Sequence, residues 1–386
     1  MDSQTTPFHK TLWHKGFWAL AVANLLLTMS VYMMIPVVTD WLQGSGMSAL
    51  ECASVMGAYG VGLFLMGPFC SYFIQRFRRN HVCELAILLL GLCFWLFGMM
   101  QQNKDAWEVS PFLLTAVRLF IGTLFGLAQM VLSSTLVIDV CESFQRTHAN
   151  HAAAWFSRLA LCLGPLAALL LPSFLSTVYL YWVMVLLCVV AAILIQMVTI
   201  PFRAPSDDYS SFSLDRFFLP SSWRLFLLQV AFGVVVSSFL AEPYPWTFYV
   251  MMMLGLAVAV LMSRSVLNHT DLRVSTTLSF IILIGVMPLL SAGMGLPFYL
   301  AALFTGAAIG VVSNNFLTYF LNLSDHCQRG TSQSSYFLSW ELGISLGLFL
   351  FFLVPAAQLW ARVLLIVCVL CYYFLIHPWY LRHKVR

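Results

Sequence analysis

Long apolar runs alternate with short polar breaks along the whole chain. A helix needs roughly 20 mostly apolar residues to cross the hydrocarbon of a bilayer. The pattern predicts twelve such helices, near 16–38, 51–73, 82–100, 111–138, 151–174, 177–200, 223–241, 246–263, 275–292, 297–323, 334–354 and 359–377. Prolines sharpen several breaks: Pro172 to Thr177, Pro243 with Pro245, and Pro355. The turns between helices 5 and 6 and between 7 and 8 are so short that each pair must be an antiparallel hairpin. The longest polar connection, Pro201 to Ser222, holds Asp207, Asp208 and Arg216. It divides the chain into an N-terminal six-helix bundle (1–200), a linker loop (201–222) and a C-terminal six-helix bundle (223–386).

Composition agrees with this pattern. Hydrophobic residues make up 61% of the 386 positions and charged ones 9%, with a mean hydropathy of +0.88. Soluble domains carry about 25% charged residues, so a water-soluble globule is excluded. The net charge of +4 gains meaning only when placed by loop. Lys10, Lys15, Arg76, Arg78, Arg79, Arg146, Arg203, Arg216, Arg224, Arg264, Arg273, Arg329, Arg382, Lys384 and Arg386 fall on one side, and Lys104 alone on the other. Basic residues collect on the cytoplasmic side of membrane proteins. Both termini and the linker are therefore expected in the cytoplasm of a multi-pass protein of the cell (inner) membrane. The first apolar run lacks a small-residue cleavage site and reads as a retained helix. No basic run forms a nucleic-acid footprint. The ten cysteines include no CxxC pair and read as small packing residues.

An internal repeat underlies the two halves. Gly122 and Gly126 in helix 4 match Gly306 and Gly310 in helix 10. Arg146 follows Gly122 by 24 residues and Arg329 follows Gly306 by 23. Gly164 follows by 42 and Gly347 by 41. Such glycines suit close approach between membrane helices. The same alignment sets Arg158 opposite Glu341, each six residues before its glycine.

Polarity is uneven. Asn24, Thr28 and Tyr32 share one face of helix 1. Arg118, Gly122, Gln129 and Ser133 form a stripe on helix 4, and Gln229, Gly233 and Ser237 one on helix 7. Helix 10 carries Ser313, Asn314 and Asn315 beside its glycines. Helices 3, 6, 9 and 12 are almost uniformly apolar. Helices 1, 4, 7 and 10 are thus expected to line a cavity, and 3, 6, 9 and 12 to face lipid. Any single neutral polar residue can be an interhelical hydrogen bond, worth about 0.6 kcal/mol. Charges differ, because an ion near mid-bilayer costs at least about 2.5 kcal/mol and usually marks a pathway or a paired site. Arg118, Arg158 and Glu341 are the charges well inside apolar spans.

Together these features resemble the major facilitator superfamily over the whole chain. The loop after helix 2, Ser71-Tyr72-Phe73-Ile74-Gln75-Arg76-Phe77-Arg78-Arg79, is similar to that family's G-x-L-x-D-R-x-G-R loop, with Ser71, Gln75 and Arg78 departing from it. Arg118 to Gly122 resembles the R-x-x-Q-G motif of proton-linked members, with Ile121 in place of Gln. Gly164-Pro165 resembles the core of the antiporter motif G-x-x-x-G-P, with Ala160 at its earlier glycine. The resemblance implies a twelve-helix transporter in two pseudo-repeats, nearest to the drug and metabolite efflux branch. It implies alternating access, proton coupling and export.

Competing readings are a membrane-embedded transferase or protease, a channel, and a lipid or oligosaccharide flippase. An enzyme needs a nucleophile, a His pair or an acidic cluster at one depth. The nine histidines read as loop, tail or helix-end residues, and no H-E-x-x-H or G-x-S-x-G motif occurs. No enzyme, metal or cofactor is expected; the partners are a small-molecule substrate, protons and the bilayer, and the chain is expected to be a monomer. The pathway candidates are Arg118, Arg158, Glu341, Asn24, Tyr32, Gln129, Gln229, Asn314 and Asn315. Arg76 or Arg79 is expected to pair with Asp139, with Glu142 nearby, as a cytoplasmic gate. Glu341 is the best single proton site, because an apolar wall favours a protonated carboxyl and a nearby guanidinium an ionised one.

Overall fold

The computed structural model describes residues 11–102, 110–199, 210–265, 271–354 and 357–384. Lys10, Lys104, Arg203, Arg386, Pro355 and the 201–209 portion of the linker lie outside the described residues. Among the described residues twelve helices are long and apolar enough to span a membrane. They are α1 (Lys15–Gln43), α2 (Ala49–Arg76), α3 (Arg79–Gln102), α4 (Pro111–Asp139), α5 (Arg146–Ser173), α6 (Val178–Gln196), α7 (Trp223–Ala241), α8 (Trp246–Ser265), α9 (Leu272–Leu290), α10 (Leu296–Asn322), α11 (Arg329–Leu353) and α12 (Leu359–His383). The end of the bundle holding the α2–α3, α4–α5 and α10–α11 turns is called the basic end below.

Each predicted helix is found, with shifted ends. The helix α1 continues past Pro36 to Gln43. Arg146 and Arg329, read as loop residues, each open a helix behind a short 3-10 turn. This puts His151 inside α5, and His377 lies buried inside α12; both were expected at helix ends. The start of α2 is a capping box, in which Ser48 accepts from the Glu51 amide and Glu51 returns a bond to the Ser48 amide. Pro68 breaks the same helix into a 3-10 turn at Gly67–Phe69. Leu132–Leu136 of α4 widens into a π turn. There Ser133 and Ser134 donate back to the carbonyls of Gln129 and Met130, a hydroxyl habit that bends helices.

Burial follows the polarity pattern. The apolar windows of α4, α7, α1 and α10 are 94%, 72%, 67% and 61% buried, the four highest values, so these helices form the centre. Those of α3, α6, α9 and α12 are 44%, 39%, 39% and 22% buried and present leucines, isoleucines and valines outward. α8 is also peripheral at 33%.

The repeat is visible in what each glycine touches. A methyl group added at Gly122 of α4 would come within 2.8 Å of the Tyr59 carbonyl carbon on α2. One at Gly306 of α10 would come within 2.7 Å of the Met252 carbonyl carbon on α8. Likewise Gly164 of α5 meets Tyr32 and Met33 of α1, and Gly347 of α11 meets Ser237 and Val234 of α7. Helices 4 on 2 and 5 on 1 in the first half thus correspond to 10 on 8 and 11 on 7 in the second. The halves meet along α2 with α11 and α5 with α8. In the first seam the Gly60 amide donates to Ser345 Oγ at 2.9 Å.

The linker's final stretch is wedged between the halves at the basic end. The Ser213 amide donates to the Pro68 carbonyl (3.0 Å), and the Leu219 amide to Ser335 Oγ of α11 (2.7 Å). Phe217 packs on Gly67 and Phe64 of α2. Arg216 is the one non-glycine with positive φ (61°) among the described residues. Its amide donates to Thr331 Oγ1 (2.9 Å) and its guanidinium to the Ser134 carbonyl in the π turn (3.1 Å), so contacts from both halves hold the strained backbone.

Candidate substrate and proton site

The centre of the bundle contains one carboxylate, two guanidinium groups and a set of tyrosines. Glu341 of α11 is buried. Its Oε1 accepts from Tyr32 Oη of α1 and its Oε2 from Tyr59 Oη of α2, both at 2.7 Å. Trp340 Nε1 donates to the same Tyr32 oxygen at 3.1 Å. A second-half carboxylate is therefore held by hydroxyls of the first half.

Arg158 of α5 lies beside this group. Its guanidinium carbon is 5.1 Å from the Tyr336 ring centroid and 5.5 Å from that of Trp340, and Nη1 donates to its own helix at Ala154 O (2.9 Å). The repeat places Arg158 and Glu341 at equivalent points of α5 and α11. Among the described residues they form no ion pair; Tyr32, bonded to Glu341, lines the same cavity as both. Arg118 of α4 is also buried. It reaches the sulfurs of Met34 (3.2 Å) and Met56 (3.9 Å) and lies 5.4 Å from the Tyr59 ring centroid. Each arginine thus touches an aromatic ring of the Glu341 cluster, a geometry worth about 2 kcal/mol or more when desolvated.

Asn24, Thr28 and Gln129 tie α1, α4 and α5 together. Gln129 Nε2 donates to Asn24 Oδ1 (2.8 Å) and Thr28 Oγ1 (2.7 Å), and Asn24 Nδ2 donates to Ala153 O (3.0 Å) and Ser157 Oγ (2.9 Å). Their polar groups are largely satisfied by one another. They still border a central cavity of about 40 Å³, together with Tyr32, Arg158, Gln333, Tyr336, Trp340 and Glu341. That volume holds a few waters and no solute.

Three pathway candidates lie elsewhere. Gln229 donates to the Tyr336 carbonyl (3.3 Å) in the α7–α11 contact. Asn315 donates to Ser275 Oγ (2.8 Å) and Thr276 Oγ1 (2.9 Å), toward peripheral α9. Asn314 meets His151 Nδ1 at 2.9 Å, a bridge between the halves. The cavity is lined by α1, α4, α5 and α11, not by the expected α7 and α10, because neutral amides on the latter find partners on adjacent helices. Sequence reasoning missed Tyr59, Tyr336, Trp340 and His151. The one signal for the tyrosines was Glu341 itself, since a buried carboxylate requires donors.

At the basic end the halves are closed. Besides the His151–Asn314 bridge, Arg329 Nη1 donates to Thr147 Oγ1 (3.1 Å), and the Trp155 ring packs near Gly310. Arg79 of α3 pairs with Asp139 at the end of α4, and both side chains are partly exposed. Glu142 sits in the following turn, where its carbonyl accepts from the Gln145 amide. Toward the opposite end α2 and α11 stay packed, Gly57 on Phe349 and Gly60 on Ser345, and an open pocket lies beside them. A cavity of about 540 Å³ lies among the ends of α1, α3, α5, α6 and α7, lined by Asp40, Trp41, Gln101, Leu169, Thr177 and Glu242 among others.

Comparison with known proteins agrees with this arrangement. Over 92% of this chain and 98% of the other, the fold is similar to the human organic anion transporter TETRAN (TM-score 0.66, 15% identity). It is similar over the same shares to the nucleoside transporter NupG (TM-score 0.65, 12% identity). No curated protein matches the sequence. The family model of the Major Facilitator Superfamily matches residues 20–381. With twelve spanning helices in two repeats and a polar centre between them, this chain belongs to the major facilitator superfamily and is a membrane transporter, not an enzyme.

Proposed function

We propose that the chain moves a small organic solute by alternating access and that protons drive it, with Glu341 as the coupling carboxylate. The observation that carries this is the Glu341 cluster. A titratable group of one half, buried at the centre, is held by two hydroxyls of the other half. When the halves rock apart, those bonds break and the carboxylate loses its donors. Protonation compensates for that loss, so the proton and the conformational change are linked. Residues 1–200 and 223–386 act as the rocking bodies, joined by the 201–222 linker. Both halves of the site come from one chain, so a monomer suffices. The two similar structures are of an organic anion transporter and a nucleoside transporter, which supports a small organic solute here.

The basic end is assigned to the cytoplasm of the cell membrane, on the charge bias of the loops. The conformer described is then the one closed to the cytoplasm. Gly164-Pro165 supports a second reading, exchange and export, because Gly164 packs directly on Tyr32 and Met33 of α1 beside the proton site.

Transport in proteoliposomes with and without an imposed pH gradient tests the first reading. Glu341→Gln keeps the shape and removes the titration. The expected result is a folded protein that loses gradient-driven accumulation and retains substrate exchange. Unchanged pH-driven accumulation eliminates Glu341 as the coupling site.

A further inference from the structure

We infer that the central site binds the anionic group of an organic acid, with Arg158 as its anchor. The inference deepens the transport reading above and rests on it. The buried charges at the centre are Arg118, Arg158 and Glu341, so even an ionised Glu341 leaves one positive charge without a counterion among the described residues. Both Glu341 oxygens already accept from tyrosines.

The two arginines differ in what they offer. Arg118 faces methionine sulfurs and the Tyr59 ring and does not border the cavity. Arg158 borders the cavity, and its side chain is buried. A guanidinium carries five N–H donors. Arg158 makes one hydrogen bond to Ala154 O, and its buried Nε has no hydrogen-bond partner. An arginine placed only to lock helices would direct its donors at carbonyls or a carboxylate across the contact; this one bonds its own helix. A carboxylate matches the free fork in geometry and sign. Tyr32, Tyr336, Phe337 and Trp340 wall the same cavity, which must widen from its about 40 Å³ to admit a solute and would then offer an aromatic or otherwise apolar body a matching wall. A cationic solute would meet the Arg158 guanidinium at close range, and a neutral one would leave it unpaired.

The arrangement also fixes a sign of coupling. The charged and titratable groups around Glu341 are Tyr32 on α1, Tyr59 on α2, Arg118 on α4, Arg158 and His151 on α5 and Tyr336 on α11. On α7 the only charged residue is Arg224 in the first turn; α10 brings Tyr319, bonded to Tyr372 of α12. Protonating Glu341 removes the only negative charge of the set. Proton and anion therefore assist one another's binding, which is the sign of cotransport and opposes the exchange reading.

The test needs no gradient. Thermal unfolding of the purified full chain in detergent is measured with a panel of organic acids from acetate to benzoate and naphthoate. Each is paired with its own amide and amine at the same millimolar concentration. The acids are expected to raise the unfolding midpoint, more so in mildly acidic buffer, while their amides and amines do not. Arg158→Gln is expected to weaken the best acid about tenfold or more, and Arg158→Lys to recover part of that loss. A panel in which no acid outperforms its amide and amine overturns the proposal, as does undiminished acid binding in Arg158→Lys and Arg158→Gln alike. A wild type that binds the acids, through Arg158, yet transports indifferently to an imposed pH gradient would end the coupling role and leave the anion site standing.

Discussion

Tyr59→Phe deletes one hydroxyl and nothing else, and that hydroxyl lies in the bond joining α2 to Glu341 across the two halves. The loss leaves one oxygen of a buried carboxylate without its donor. Bonds to charged groups contribute about 1.5–3 kcal/mol and those between neutral groups about 0.5–1.5 kcal/mol. If opening at the basic end parts α2 from α11 at the depth of Glu341, as the proposed rocking requires, the bond's contribution favours the conformer described here. With Glu341 ionised, the ratio of this conformer to the one open at the basic end should fall by about ten- to a hundredfold. With Glu341 protonated it should fall by no more than about tenfold. Ser332, fully buried in the basic half of α11, reports on opening if replaced by cysteine in a Cys327→Ser background, which removes the exposed native thiol. Labelling of that cysteine by a maleimide should accelerate in Tyr59→Phe, and the acceleration should shrink as pH is lowered. An unchanged labelling rate would refute the view that this bond holds the closed conformer. An acceleration indifferent to pH would refute the link to Glu341 ionisation.

The same logic extends to the basic end. Reversing Arg79 to Asp should lower transport and an added Asp139→Arg should partly restore it. Because the pair is half-exposed and worth about 0–1 kcal/mol, the effect should be a few-fold at most and fade in high salt. Failure of every swap to restore activity would reduce the pair to a solvated rim. Orientation is testable on a native residue. Cys327 is exposed in the α10–α11 turn and should escape an impermeant maleimide in intact cells yet react in inverted vesicles, while Ser45→Cys at the opposite end behaves conversely. Labelling of Cys327 from outside would reverse the assignment.

The helices were legible because spanning a bilayer imposes length and apolarity directly on the sequence, and every predicted span exists. The repeat was legible because a close helix contact demands small residues, so Gly122, Gly306, Gly164 and Gly347 recur at fixed offsets. Their partners were not legible, since Tyr59 and Met252 contribute backbone atoms and any side chain would serve. At the site, Glu341, Arg158 and Tyr32 stood out because charge and polarity are costly in an apolar span. Tyr59, Tyr336 and Trp340 did not, because a ring in a membrane helix reads as packing until its hydroxyl or indole N–H is seen to donate. Gln229 and Asn315 lie away from the cavity. Their amides marked a stripe, yet a neutral amide is satisfied by a neighbouring carbonyl or hydroxyl and so points where packing allows. The Arg216 wedge left no trace, because positive φ at a non-glycine is imposed by tertiary contacts and not by the residue.

The repeat explains why the centre is electrically asymmetric although the fold is not. α5 and α11 occupy equivalent places, and at one equivalent position the first carries Arg158 and the second Glu341. Two opposite charges so placed could simply pair and fix the interface, and breaking a buried pair is strongly destabilising. Instead Tyr32 of α1, packed on Gly164, takes the carboxylate, accepting from Trp340 and donating to Glu341. The carboxylate is thus held by hydroxyls, which bind it in both protonation states but with different strength. The arginine keeps donors free beside a cavity. A direct salt bridge would make the interface rigid and consume both functional groups. A phenol partner leaves the carboxylate able to titrate and the guanidinium able to take a ligand, while still joining the two halves in the closed conformer.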